Sequence, residues 1–283
     1  MLGSLVIVYP TPHQGGELVL RHKDHEWTFD ATSLTSSQPS PSVAYVAFYS
    51  DIEHEVLKVS NGCRVTLTYN LYLVDPTPSE HVPLVIPNLR DVSNLQSALQ
   101  NLLKSPEFLP KGGTLGFGLT HLYPVTFKSK LQDMIEYLKG EDAHVYRACR
   151  ELQLDPSLHM VYDDDELDWD GSRRGTRPRG IMIKRIVEQP KYDYMSVSYR
   201  EYLIKKLGGI PINLNNDTIA RDSEWVQDYG VPKRWKQITW VTPFKEVNIL
   251  RDFAMAYGNE VAVDYIYCSP CLIVPIVPAD DRV

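Results

Sequence analysis

Two neighbouring stretches constrain this chain most. Ala47-Phe48-Tyr49-Ser50-Asp51-Ile52-Glu53-His54-Glu55-Val56 and Ser60-Asn61-Gly62-Cys63-Arg64-Val65-Thr66-Leu67-Thr68-Tyr69 carry one histidine and one arginine ten residues apart. Residues 43–50 and 63–73 are rich in Val, Tyr, Phe, Thr and Leu, a strand signal. Ser60-Asn61-Gly62 reads as the connection of a hairpin. A two-residue Asn-Gly turn would pair Val59 with Arg64 and send His54 and Arg64 to opposite faces. A three-residue loop with Gly62 in the left-handed conformation pairs Lys58 with Arg64 instead. His54, Arg64, Thr66 and Thr68 then share one face, and Leu57, Val59, Val65, Leu67, Tyr69 and Leu71 share the other. A slip of one residue would mix the two sets. The plain alternative is a polar face turned to water, which is ordinary in antiparallel sheets.

Length and composition bound what can surround this element. The 283 residues suffice for one large or two small domains, and 43% of them are hydrophobic. No run of 18 apolar residues marks a membrane span. The start, Met1 to Pro10, has no basic region and no small-residue cleavage site, and reads as a strand that begins at once. Four cysteines (Cys63, Cys149, Cys268, Cys271) suit a reducing compartment, so a cytoplasmic or nuclear location is expected. A net charge of −7 argues against non-specific nucleic-acid binding.

Residues 4–73 alternate short β-like runs with turns: 4–9, 16–21, 26–30, 43–50 and the hairpin, with a Ser/Pro-rich loop at 33–42. That spacing predicts a sandwich or barrel. A Pro-rich connector follows at 75–88. Val92, Leu95, Leu99, Leu102 and Leu103 stand at helical spacing, so 91–104 is predicted helical. Helices are also predicted over 139–153 and 197–207, a solvated acidic-then-basic loop over 163–179, and a long β-like run over 261–278. The expected division is 1–75 and 76–283.

Three other motifs carry less weight. His22-Lys23-Asp24 has histidine-any-aspartate spacing, but it ends a strand among charges and reads as a solvated turn. Cys268-Ser269-Pro270-Cys271 has redox or half-zinc spacing, but without a second pair it reads as buried cysteines on a core strand. His121 is isolated and reads as a hydrogen-bonded structural histidine.

Several segments together resemble a known family. They are Gly3–Ile7, Pro10–His22, Ala47–Asp51 with His54-Glu55-Val56, and Gly62–Tyr72, continuing in Gly116–Leu119, Leu138–Ala143 and Tyr257–Glu260. The chain resembles a fungal-type group of iron(II)- and 2-oxoglutarate-dependent oxygenases related to prolyl 4-hydroxylases. The resemblance implies an α+β protein: a double-stranded β-helix (jelly-roll) core with an α/β C-terminal extension. It implies Fe(II) and 2-oxoglutarate as cofactors, with ascorbate as an accessory reductant, and a protein or small-molecule substrate. His54 matches the distal iron-binding histidine, and Arg64 the residue that grips the far carboxylate of 2-oxoglutarate, assisted by Thr66 or Thr68. The family's His-any-Asp pair stands just before the strand matching Gly3–Val8 and has no counterpart in this sequence. The expectation is a jelly-roll incomplete at its N-terminus, inactive as given, or a non-catalytic binding module.

Overall fold

A computed structural model describes residues 1–36, 40, 42–72, 89–126, 129–163, 179–187, 201–216, 236–244, 248 and 266–282. The chain is a mixed α+β protein, rich in strands, with a curled half-barrel sheet and few helices among the described residues. It divides into two compact units, Met1–Leu84 and Val85–Val283. The expected connector at 75–88, the acidic-basic loop and the start of the 197–207 helix fall largely outside the described residues.

The first unit holds β1 (Gly3–Val8), β2 (His13–Gly15), β3 (Leu18–His22), β4 (His25–Phe29), helix α1 (Ala31–Ser36), β5 (Ala44–Tyr49), β6 (Glu53–Val56), β7 (Val59–Gly62) and β8 (Thr66–Leu71). Three antiparallel ladders are nested: β1 with β8, β2 with β7, and β3 with β6. β5 adds to the free side of β1, and β4 to the free side of β3. The chain therefore runs inward through β1, β2 and β3, and back outward through β6, β7 and β8. Directly opposed residues project to the same face. Val6 lies opposite Val46 and Thr68, and Val8 opposite Ala44 and Thr66. This face meets Phe29 of β4 and Ala31 of α1 in a small core with Phe48. The outer face carries Tyr45, Leu67 and Tyr69, all substantially exposed.

The hairpin read from the sequence is not formed. The strand holding His54 pairs with β3 and the strand leading from Arg64 pairs with β1, so the two are not partners. Ser60-Asn61-Gly62 is not a turn but part of β7, paired with β2. Gly62 does adopt the left-handed conformation, φ +75°. Its need for glycine comes from a close approach: a Cβ would sit 2.1 Å from the Pro12 carbonyl oxygen. The Ser/Pro-rich stretch also differs from expectation, because α1 occupies its start. Asp30 caps that helix, accepting hydrogen bonds from the Thr32 and Ser33 amides at 3.0 and 3.1 Å.

The second unit is built on a six-stranded sheet. Its strands are β9 (Gly113–Gly118), β11 (Ser157–Asp163), β12 (Arg179–Ile183), β13 (Ile210–Asn213), β14 (Thr239–Thr242) and β16 (Pro270–Ile276), in the order β13-β12-β11-β16-β9-β14. A separate pair joins β10 (Tyr123–Val125) to β15 (Ile266–Cys268). Alternation sorts the sheet's two faces. Leu158, Met160, Leu272 and Val274 join a core with Leu99 of α2 (Leu89–Lys104) and Cys149 of α3 (Gly140–Glu151). Val161, Ile273 and Cys271 join the opposite core with Trp240. α2 stands where the apolar spacing put it, and α3 lies within the expected 139–153 segment. At the described end of the 197–207 segment, Tyr202–Lys206 is π-helical. No helix of the described residues is long and apolar enough to cross a membrane.

His159 on β11 sets a pH dependence. It is 4% exposed, and burial pulls its pKa down from 6.5 to about 4. An unfolded chain then binds a proton in that window that the folded chain does not. The associated stability is present above pH 6.5 and is lost as pH falls towards about 4. We expect the unfolding free energy from urea titration to drop across this window by up to about 3 kcal/mol. His159→Gln is expected to flatten the drop.

Candidate functional site

The nested pairing places the sequence-nominated residues of the first unit by a route the hairpin did not foresee. Thr66 and Thr68 stand opposite Val8 and Val6 on the same sheet face, Thr66 partly buried and Thr68 exposed. His54 lies opposite Leu20 on the other sheet. Its ring stands 4.9 Å from that of Phe48, centroid to centroid. Phe48 is opposite Ser4, on the same inward face as Thr68. The histidine and the threonines thus stand on two sheets rather than on one, with His54 and Thr68 exposed and Thr66 partly buried. The His54 Nδ1 is 3.2 Å from the Ile52 carbonyl oxygen, an arrangement that favours Nδ1 as the protonated nitrogen and leaves Nε2 as the ligand atom.

Arg64 is half-buried immediately before β8. Its Nε is buried and has no hydrogen-bond partner. Burial lowers the guanidinium pKa from its usual value. A buried N–H without an acceptor is costly, so the site favours an anion. The side-chain stem lies over Gly16, where a Cβ would come within 2.7 Å of Arg64 Cδ and 2.9 Å of Val59 Cγ2. Gly16 also has φ +78°. Glycine here serves two needs, a left-handed backbone and the space that seats the arginine. Sequence reasoning took Gly15-Gly16 only as a turn.

An iron-binding triad around His54 is not supported by its surroundings. Among the described residues His54 belongs to no group of three potential ligands. Its strand neighbours Glu53 and Glu55 project to the other face, where Arg21 binds them at 3.6 and 3.0 Å. At the position that the resemblance gives to the far carboxylate of 2-oxoglutarate, Arg64 offers a buried N–H donor, with Thr66 and Thr68 two and four residues further along the chain.

The solvated-turn reading of His22-Lys23-Asp24 holds for Lys23 and Asp24 but not for His22, whose side chain is largely buried. Lys23 and Asp24 form the exposed turn between β3 and β4, with Lys23 at φ +56°. His22 turns to Asp51, Nε2 to Oδ2 4.0 Å. The Cys-x-x-Cys motif is not a site for one metal. Cys268 and Cys271 lie in different cores, both as free thiols. Burial pushes the Cys268 thiol up to about 12.

In the second unit, the sequence pointed to His121 and missed the group that organises its surroundings. Asp142, 2% exposed in the first turn of α3, accepts hydrogen bonds from the Thr120 amide (2.7 Å), the His121 amide (3.0 Å) and the Tyr123 hydroxyl (2.8 Å). The Tyr123 oxygen in turn accepts from the Lys139 amide at 2.9 Å. Buried Lys139 donates its ammonium to the Leu122 carbonyl at 2.7 Å and lies over the Tyr123 ring. Burial pushes the Asp142 carboxyl pKa up, and these hydrogen bonds oppose that shift. The knot ties the loop after β9 to α3. It reaches segments, Gly116–Leu119 and Leu138–Ala143, that carry part of the family resemblance.

Comparison with protein-family models, with curated proteins and with solved structures finds no match.

Two substitutions test these local accounts. Gly16→Ala is expected to destabilise the first unit by about 1–3 kcal/mol, through strain at positive φ and displacement of Arg64. Asp142→Ala strands two buried donors and a partly buried one, and is expected to cost about 3 kcal/mol or more. Chemical denaturation of each variant, read by circular dichroism, gives both values.

Proposed function

We propose that the first unit is a jelly-roll of the iron(II)/2-oxoglutarate oxygenase type that keeps the cosubstrate-carboxylate arm of the site. Arg64 grips the far carboxylate of 2-oxoglutarate, and Thr66 and Thr68 donate their hydroxyls to it. The observation that carries this reading is the buried, partnerless Arg64 Nε seated over Gly16. The nested ladders support it too, because winding a long antiparallel hairpin in this way is how a jelly-roll is made. Guanidinium with two hydroxyls recognises a carboxylate by charge and by paired hydrogen bonds. His54 remains as a lone imidazole of the iron face. Bound iron would supply oxygen activation in such a fold, but the described residues offer His54 no matching partners, and no catalytic step is drawn through it.

A second reading is a non-catalytic jelly-roll that binds a dicarboxylate or a partner without turnover. The absence of a three-ligand group at His54 among the described residues favours it for this chain. The two readings differ in metal dependence. With Fe(II) and 2-oxoglutarate added, a metal-to-ligand charge-transfer band with succinate formation would establish the enzyme. Neither is expected of this chain as given.

The binding claim has its own test. Calorimetric titration of the full chain with 2-oxoglutarate is expected to show one saturable site. Arg64→Ala is expected to weaken it at least as much as loss of a charged hydrogen bond, about 1.5–3 kcal/mol or roughly ten- to a hundredfold. Equal affinity in the variant and the parent would remove Arg64 from the site.

A further inference from the structure

We propose that the outer face of the β5-β1-β8 sheet is a dimer interface, packed against the same face of a second copy of this chain. Register sets the face. Tyr45, Ile7 and Leu67 form one cross-strand row, and Ala47, Leu5 and Tyr69 the next. Gly3 stands between Tyr49 and Leu71 in a third. The Tyr9 amide donates to the Val65 carbonyl at 3.0 Å, so the alternation runs on to Tyr9 and Val65 just beyond the strand ends.

No Asp, Glu, Lys, Arg or His stands at any of these positions. A sheet face turned to water ordinarily carries polar residues. The β4-β3-β6 sheet of the same unit does so: Arg21 lies opposite Glu26 and Glu53 and pairs with both. The outer face of β5-β1-β8 instead leaves Tyr45 69%, Tyr69 49%, Val65 46% and Leu67 42% exposed. A contiguous apolar patch of this kind marks an interaction surface. Tyrosine suits that role, because its ring buries a large area at low rotamer cost while its hydroxyl can stay hydrated.

Charge, symmetry and area select a second copy as the occupant. The face carries no charge with which to orient a charged partner, and burying it against itself strands no ion. An isologous contact sets the same patch on both copies, apolar on apolar, and its two-fold axis closes the assembly at two. Two sheets stacked in this way pack about 10 Å apart with their side chains interdigitated. The exposed parts of these side chains amount to roughly 700 Å² per copy, close to the about 800 Å² per partner of a standard stable interface.

Sedimentation velocity of the full chain over a range of concentrations tests the interface. The expected result is a monomer that converts to a dimer, and to nothing larger, as concentration rises. Tyr45→Lys and Tyr69→Lys each place a charge in the buried face and are expected to raise the dimer dissociation constant at least about tenfold. Glu53→Gln, on the other sheet, is expected to leave it unchanged. Hydroxyl-radical footprinting of the parent chain guards against a variant that fails to fold: oxidation of Tyr45 and Tyr69 is expected to fall in step with the dimer fraction. A chain that stays monomeric at every concentration would overturn the proposal. So would a dimer that keeps its affinity in both folded lysine variants, or growth past the dimer. Full protection of Tyr45 and Tyr69 in the monomer would overturn it too, because another part of the chain would then cover the face. None of these measurements involves 2-oxoglutarate, so the Arg64 reading stands or falls separately.

Discussion

Nested antiparallel pairing is the constraint on which the first unit depends. With β1 held to β8, β2 to β7 and β3 to β6, each residue's face is fixed by its partner across the ladder. Thr66 and Thr68 share a face with Val8 and Val6 because they stand opposite them. His54 shares a sheet face with the buried Leu20 opposite it, though its own side chain is exposed. Arg64 arrives beside Gly16 because the short β2–β7 ladder draws residues 59–62 against the 13–15 segment. A local hairpin would place none of these groups in the same way.

The same pairing explains an inverted surface. The threonine face looks towards the small core, while the apolar face with Leu67 and Tyr69 is substantially exposed. From the sequence alone, the apolar set is the natural candidate for burial. The small core holds only four buried apolar residues among those described, with Phe29, Val46 and Phe48 packed against it. The ladders, more than this core, fix where the site residues stand.

Much of the secondary structure was legible. Short runs of strand-forming residues between turns located β1, β3, β5 and β8, helical spacing located α2, and α3 fell within the expected 139–153 helix. Strand partners were not legible, because pairing is non-local. Asn61-Gly62 carries the same local signal whether glycine closes a turn or allows a backbone to approach closely. Here it does the second, against Pro12. Asp30 was a readable helix cap that the Ser/Pro content around it obscured. At the site, His54, Arg64, Thr66 and Thr68 were nominated by residue type and resemblance. Gly16 and Asp142 escaped notice because their roles are relational. A glycine that seats an arginine, or an acid that gathers three donors from 19 to 22 residues away, leaves no local pattern.

Hydrogen exchange of the full chain, measured with and without 2-oxoglutarate, tests the central claim most directly. Arg64 seated on Gly16 at the end of the nested ladders predicts added protection in residues 13–18 and 59–71 together. Protection confined to the second unit, or no change in either segment at saturating 2-oxoglutarate, would contradict it.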